Sequence, residues 1–306
     1  MTSRQNTDGD TDPADCAPFE LKLGERSPIP VLIAAPHGGR RYTERVEQSF
    51  RDPSCKLRLE DRYVDRLAEA VAEASGAALL VAKAPRAEID LNRAPDDVDW
   101  GMISGSGKRT LSHSIANRRA RSGLGLIPRR LSGVGEIWRD PIERTELDRR
   151  IETIHRPYHS ALGKALETLR DRWGAALLVD LHSMPPLSDR AYGGARPEFV
   201  IGDRFGTSCS GTISAETLGY LSRNGRLATH NRPYSGGYVL DRHGMPKRGL
   251  HALQIEVCRS LYLDARLDQP SARLGGVARL LAGLVKVLGS EVANLRSGSQ
   301  FAEAAE

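Results

Sequence analysis

A short apolar run at residues 177–183 constrains the fold most, because it leads directly into two chemically active side chains. The segment reads Leu-Leu-Val-Asp-Leu-His-Ser and follows Gly174 closely. An apolar run this short predicts a buried strand rather than a helix. In a mostly parallel sheet, functional side chains gather at the carboxyl ends of the strands. His182 is therefore a candidate metal ligand, and its partners should lie at other strand ends.

The rest of the chain alternates between strand and helix patterns. Strands are predicted at 28–35, 77–82, 87–91, 177–183, 199–202 and 252–257, and helices at 58–75, 143–173, 210–224 and 275–295. This alternation predicts an α/β domain with a mixed, mostly parallel sheet. Residues 94–140 lack periodicity and are predicted to form a long functional surface excursion. We expect one catalytic domain at 18–292, between a disordered tail at 1–17 and a frayed tail at 293–306.

Composition argues against several classes of protein. The four cysteines are scattered without Cys-x-x-Cys spacing, which argues against a disulfide scaffold or a zinc ribbon. No apolar run approaches the ~20 residues of a membrane span, and no signal-peptide core is visible near the N-terminus. The net charge of +5 is spread along the chain, which favours an ordinary surface over a nucleic-acid site. We therefore expect a cytoplasmic protein that binds a small molecule rather than nucleic acid or a membrane.

A metal site is predicted from two histidines and a nearby acid. His37 follows the first predicted strand, as His182 ends a later one. The acid comes from Glu60 or Asp61, at the beginning of the first long helix, although carboxylates are favourable at helix N-termini without any metal. Two histidines and one carboxylate with an open fourth position are the usual ligands of a catalytic zinc. The sequence thus predicts a divalent metal cofactor, with Zn²⁺ the best match.

Two further sequence features suggest hydrolysis. Glu256 lies in an otherwise apolar strand, where a charge is costly to bury without a partner. It is the best candidate for the carboxylate that zinc hydrolysis needs for proton transfer, although an ion pair at a strand end explains it equally well. Asn92 and Arg93 offer an amide and a bidentate fork that suit a substrate carboxylate. The alternative for that pair is an ordinary surface turn.

Eight motifs in order carry a resemblance that extends over residues 28–265. They are Pro-His-Gly-Gly at 36–39, Glu-Asp-Arg-Tyr-Val-Asp at 60–65, Asp-Leu-Asn-Arg at 90–93, Gly-Leu-Ile-Pro at 125–128, Pro-Tyr-His at 157–159, Asp-Leu-His-Ser at 180–183, Gly-Gly-Tyr at 236–238 and Leu-Gln-Ile-Glu at 253–256. Together they resemble the N-formylglutamate amidohydrolase family. The resemblance implies a three-layer α/β/α sandwich similar to that of the zinc carboxypeptidases.

The resemblance also implies roles for individual residues. It implies a metal bound by His37, Asp61 and His182, with Asp61 preferred to Glu60 because it matches the family's aspartate. Carboxypeptidases instead place the acidic ligand three residues after the first histidine, where this chain has Arg40. The resemblance further implies Glu256 as general base, with Asn92 and Arg93 as the carboxylate grip. Arg86 is a weaker candidate for polarising the scissile carbonyl, and Tyr238 for donating a hydrogen bond to the substrate.

The expected reaction is metal-dependent hydrolysis of N-formyl-L-glutamate to formate and L-glutamate, and the resemblance suggests a place in histidine breakdown. One alternative is a peptidase or another N-acyl amino-acid deacylase on the same scaffold. A more distant alternative is a non-catalytic nucleotide- or nucleic-acid-binding protein that uses the arginine-rich segment at 108–130.

Overall fold

The computed structural model describes residues 17–24, 27–105, 118–188, 192 and 194–303. Its strands are β1 (Phe19–Lys22), β2 (Val31–Ala35), β3 (Ala78–Ala82), β4 (Ile103–Ser104), β5 (Arg130–Leu131), β6 (Gly135–Glu136), β7 (Ile142–Glu143), β8 (Ala176–Met184), β9 (Phe199–Gly202), β10 (Ala228–His230) and β11 (Leu250–Cys258). Its α-helices are α1 (Glu44–Ser49), α2 (Cys55–Leu59), α3 (Val64–Ser75), α4 (Arg118–Arg121), α5 (Arg144–Arg150), α6 (Arg156–Trp173), α7 (Gly211–Arg223), α8 (Tyr238–His243) and α9 (Leu274–Glu303). A π-helical turn at Ile151–His155 joins α5 to α6, so these three elements form one long helix.

A seven-stranded sheet organises the molecule, in the order β1-β3-β2-β8-β11-β9-β10. Strands β3, β2, β8 and β11 run parallel to one another, and so do β9 and β10. The two antiparallel pairs are β1 with β3 and β11 with β9. The sheet is therefore mixed and mostly parallel, as the sequence predicted.

Helices cover both faces of this sheet. Because side chains alternate between the faces of a strand, Val31 and Ile33 of β2 pack in one core while Leu32 and Ala34 pack in another. The first core includes buried residues of α3, α7 and α9. The second includes α6, α8 and much of the segment at 94–140. The predicted three-layer α/β/α sandwich is thus confirmed.

Three local predictions were wrong. Residues 87–91 form a turn rather than a strand, because their backbone groups bond to the 126 carbonyl and to side chains of the long helix instead of to a neighbouring strand. The helix predicted at 58–75 is two helices, α2 and α3, separated by a turn that ends at Tyr63 with φ of 55°. The described parts of the segment at 94–140, residues 94–105 and 118–140, are not a surface excursion, since Val98, Leu126 and Ile137 are buried in the second core.

Other predictions concern the ends of the chain and the basic segment. The tail predicted at 1–17 lies almost wholly outside the described residues, as does part of the segment at 108–130. The final helix continues to Glu303, beyond the boundary predicted at residue 293. Within the described residues, no helix combines the length and the apolar character needed to cross a membrane.

Candidate active site

Two neighbouring parallel strands bring the predicted histidines together. His37 follows β2 and His182 lies near the end of β8, and these strands pair directly. Parallel strands end at the same edge of a sheet, so the two imidazole rings meet with their centroids 4.7 Å apart. Asp61 reaches them from the turn between α2 and α3, whose position is fixed by a 3.1 Å hydrogen bond from the Asp61 amide to the His37 carbonyl.

The side chains of His37, Asp61 and His182 form a compact buried group. One possible ligand atom from each residue lies within 4.8 Å of the others. Asp61 Oδ2 is 3.0 Å from Nδ1 of His182 and 3.6 Å from Nδ1 of His37. His37 Nδ1 is buried and has no hydrogen-bond partner. Such an orphaned nitrogen beside a carboxylate is what a missing cation would leave, and two histidines with one carboxylate suit zinc.

A second carboxylate orients each imidazole from its far side. His37 Nε2 lies 2.7 Å from Asp90 Oδ1, and His182 Nε2 lies 3.0 Å from Asp180 Oδ2. When each Nε2 carries a proton, Nδ1 is the ring atom that can bind a metal. Carboxylates commonly orient metal-binding histidines by accepting a hydrogen bond from the other ring nitrogen in this way. Asp180 lies two residues before His182 on β8, so both side chains are on the same face of the strand.

The electrostatics of the group also suit a cation. Burial acts to raise the pKa of Asp61, but the hydrogen bond with His182 and the nearby His37 imidazole outweigh it and hold that pKa well below its usual range. Arg259 Nη2 donates to Asp61 Oδ1 at 3.2 Å, and Arg86 Nε donates to Asp90 Oδ2 at 2.9 Å. Arg93 Nε lies 4.0 Å from the same Asp90 oxygen, and Arg86 also acts on Glu256 at longer range. The carboxylates around the two imidazoles are therefore kept ionised by nearby arginines.

Glu256 lies directly beside the group. It stands opposite His182 in the parallel pairing of β11 with β8. Gln254 Nε2 donates to Glu256 Oε1 at 2.9 Å. Burial raises the pKa of Glu256 to about 7, and the nearby Asp61 and Asp180 carboxylates act in the same direction. A carboxyl group with such a pKa can both accept and return a proton near neutral pH.

A cavity of about 890 Å³ opens over these side chains, a volume typical of small-molecule sites. Its lining includes the three grouped residues, Glu256 and all the predicted substrate-binding residues. Basic side chains are frequent in its wall, where the arginines are Arg58, Arg86, Arg93, Arg119, Arg204 and Arg259.

The predicted carboxylate grip is more constrained than the sequence suggested. Asn92 Oδ1 already accepts a 3.0 Å hydrogen bond from the Val239 amide, which ties the turn to α8. Arg93 donates from Nε to the Leu124 carbonyl at 3.0 Å and from Nη1 to its neighbour's carbonyl at 2.7 Å. Burial lowers the pKa of Arg93, and Arg86 and Arg119 lower it further, against the opposing effect of Asp90, whose Oδ2 lies 4.0 Å from Arg93 Nε. An additional anion in the cavity would therefore stabilise the charged Arg93 guanidinium.

Tyr238 begins α8 and lines the cavity next to Asn92. Its hydroxyl accepts a 2.7 Å hydrogen bond from Arg242 Nη1. The preceding Gly237 leaves no room for a side chain, since an added Cβ would lie 2.5 Å from Asn92 Oδ1. This glycine therefore permits the close contact between α8 and the Asn92 turn.

The structure places Glu60 outside the group. Its carboxylate accepts hydrogen bonds from Tyr42 Oη at 2.8 Å and Arg62 Nη1 at 2.6 Å. Sequence reasoning missed roles for Asp90, Gln254 and Arg259. All three lie within three residues of side chains that were predicted, so inspection of the neighbours of each candidate could have found them.

Comparisons with known proteins agree with this geometry. A sequence model of the N-formylglutamate amidohydrolase family matches residues 29–263. The N-formylglutamate deformylase of Pseudomonas putida is 30% identical over 77% of this chain and 82% of its own length. That of Pseudomonas aeruginosa is 27% identical over 87% of this chain and 96% of its own length. The crystal structure of N-formylglutamate amidohydrolase from Ralstonia eutropha superposes with a TM-score of 0.79 at 32% identity, covering 92% of this chain and 100% of the other.

Proposed function

The chain belongs to the N-formylglutamate amidohydrolase family, and we propose that it hydrolyses N-formyl-L-glutamate to formate and L-glutamate. The observation that carries the proposal is the buried group of His37, Asp61 and His182 beside Glu256, at the floor of a basic cavity. The group joins a metal-binding ligand set to a proton-transfer carboxylate, as amide hydrolysis requires.

We infer that zinc is the metal and that Nδ1 of each histidine and Oδ2 of Asp61 hold it. Zinc bound there would supply a Lewis acid that lowers the pKa of water and polarises a carbonyl. The donor set supports this identity, because nitrogen and carboxylate ligands in this number are those of catalytic zinc sites.

Glu256 is the proposed acid and base. Its carboxylate takes a proton from the water whose oxygen forms the new bond to the formyl carbon. It then gives that proton to the amine nitrogen as the carbon–nitrogen bond breaks, so formate and the free amino acid leave. A pKa of about 7 suits both steps, since a base that returns its proton works best near the ambient pH.

Charge in the cavity wall supports a substrate with two carboxylates. We propose that Arg93 and the side-chain amide nitrogen of Asn92 bind the α-carboxylate. Arg86 faces the scissile carbonyl, and Tyr238 forms the wall of the cavity beside them. Arg58 and Arg119 bring further guanidinium groups to the same cavity, and these would attract the side-chain carboxylate of glutamate.

A substrate panel tests the proposed function. The zinc-loaded protein is given formyl, acetyl and succinyl derivatives of glutamate, N-formyl-L-glutamine and a short peptide, and release of the free amine is measured. We expect N-formyl-L-glutamate to have the highest kcat/KM, about tenfold or more above N-formyl-L-glutamine, because the neutral side chain of that analogue loses one charge-assisted contact. Turnover of an acetylated or peptide substrate with no turnover of formylglutamate would contradict the proposal and favour another deacylase or a peptidase.

A further inference from the structure

Three buried histidines lie behind the cavity and have no role in the proposed metal or proton chemistry. His155 and His159 are each 1% exposed, and His243 is 6% exposed. Burial lowers the pKa of His159 to about 2 and that of His243 to about 3, so both imidazoles are neutral at ordinary pH. Neutral imidazoles have one donor and one acceptor nitrogen each, so their partners identify the tautomer.

The hydrogen bonds of these imidazoles fix the turn that carries the predicted substrate grip. His155 Nε2 donates to the Arg93 carbonyl at 2.9 Å, and His159 Nε2 donates to the Leu91 carbonyl at 3.0 Å. A carbonyl can only accept, so each Nε2 carries the proton. His159 Nδ1 must then accept, and His243 Nε2 donates to it at 3.0 Å.

One helix therefore holds the whole turn from its outer side. Arg150 Nη1 of the same long helix donates to the Glu88 carbonyl at 2.9 Å, next to the two imidazole contacts. His155 and His159 are four residues apart and so lie on one helical face. Because residues 88–93 belong to no strand, these donors replace the ladder partners that a strand would supply.

The same imidazoles also support the other wall of the cavity. The Tyr238 ring packs with its centroid 5.7 Å from that of His155 and 5.1 Å from that of His159. His243 belongs to the same short helix, α8, so its hydrogen bond to His159 joins α8 to the long helix. The turn at 88–93 and helix α8 thus both contact the same two side chains, His155 and His159.

We propose that His155 and His159 are positioning residues for substrate binding, which set the Arg93 guanidinium and the Tyr238 ring in the cavity without touching the substrate. The identity of that substrate rests on the proposed function. Removing an imidazole leaves a buried carbonyl without its donor, so the turn must shift to find another partner. Such a shift displaces Arg93 and weakens a contact made both in the ground state and in the transition state, which raises KM more than it changes kcat.

Paired substitutions at each histidine test the proposal. His159→Leu and His155→Leu remove the donor, whereas His159→Gln and His155→Gln keep an N–H group at a similar reach. His251→Leu is the matched control, because His251 is also buried, accepts one hydrogen bond from the Ser210 amide and lies at the end of β11 remote from Glu256. KM and kcat for N-formyl-L-glutamate, zinc content and melting temperature are measured on each zinc-loaded variant.

The leucine variants at 155 and 159 should raise KM about tenfold or more with a smaller change in kcat and an unchanged zinc content, and the glutamine variants should recover most of the loss. The His251 variant should keep the wild-type KM. An unchanged KM in both leucine variants, or an equal rise in the His251 variant, would overturn the positioning role. Failure of the proposed function is distinguished by the wild-type protein, which would then not hydrolyse N-formyl-L-glutamate. The KM comparison is in that case made on the N-acyl amino acid that it does hydrolyse.

Discussion

The metal-binding group and the substrate-facing turn meet in one cavity, but they are held in different ways. His182 and Glu256 belong to β8 and β11, which pair over nine consecutive residues. The turn at 88–93 has no such ladder, and side chains of the long helix bind its carbonyls. The difference suggests that the chemistry depends on the sheet, while substrate affinity depends on a few replaceable side-chain hydrogen bonds.

The largest effect should follow removal of a ligand from the sheet-held region. His182→Ala deletes one proposed metal ligand and leaves Asp61 without its closest partner. Changes that merely reorient a metal-binding histidine already weaken metal binding about 10- to 100-fold, so a direct loss should exceed that and abolish activity. Zinc content after dialysis and the rate of amine release check this expectation. If the His182→Ala variant retained stoichiometric zinc and wild-type activity, His182 would not be a metal ligand. The His251→Ala variant is the control for the loss of a buried imidazole.

Glu256→Gln should separate metal binding from proton transfer within the same region. Glutamine keeps the shape of the side chain and its contact with Gln254 but cannot take a proton. We expect kcat to fall about 10²–10⁴-fold with zinc content and KM nearly unchanged. Glu60→Gln provides the control, because Glu60 is an equally buried carboxylate that faces Tyr42 rather than the cavity. A kcat within a fewfold of wild type would exclude Glu256 as the acid and base.

Gly237→Ala should affect the side-chain-held region alone. The added methyl group would lie 2.5 Å from Asn92 Oδ1, so α8 must move away from the turn. We expect KM to rise about tenfold, as for the loss of one hydrogen bond, with zinc content unchanged. Gly211→Ala has no atom within 4 Å of its new methyl group and should leave both values as they are. Loss of zinc in Gly237→Ala would show that the two regions are not separable.

The response of stability to mild acid tests the same side-chain-held region without reference to substrate. His159 and His243 have folded-state pKa values of about 2 and 3, against about 6.5 in the unfolded chain. Below pH ~6.5 each of these two histidines binds more protons in the unfolded state, so each lowers the free energy of unfolding by about 1.4 kcal/mol per pH unit as pH falls. Glu256, with its raised pKa of about 7, acts in the opposite direction, equally in the wild type and the variant. Asp61 and Asp90, whose pKa values are depressed, add their loss only below about pH 4. Denaturant unfolding between pH 6.5 and 4.5 should therefore show a shallower slope in His159→Gln, and an identical slope would contradict the buried neutral pair.

The sequence predicted that the residues of the sheet-held region lie together, because its signals are local. His37, His182 and Glu256 each follow or end an apolar run, and parallel strands bring such positions to one edge of the sheet. Asp61 was harder, since the physics allowed Glu60 as well. The hydrogen bonds of Glu60 to Tyr42 and Arg62 hold its carboxylate away from the two imidazoles, and only the folded structure shows them.

The side-chain-held region was predicted poorly because its partners are distant in sequence. Residues 87–91 have the alternation of a strand, but the donors for their carbonyls are about sixty residues away on the long helix. The segment at 94–140 has no periodicity for a similar reason. Its buried residues, such as Val98 and Trp138, join the core from irregular segments rather than along one helical face.

The π-helical turn at Ile151–His155 makes chain length itself a determinant of the cavity. The π turn contains one residue more than an α-helical turn, so Arg150 and His155, which are five residues apart, lie on the same face as His159. In a regular α-helix of the same length, Arg150 would be rotated by about 100° away from that face. The donors to Glu88 and Leu91 could then no longer reach one turn together. Deleting one residue within the turn would instead leave Arg150 and His155 four residues apart on one face of a regular α-helix, so the wider turn is what fits this length of chain to the substrate-facing turn.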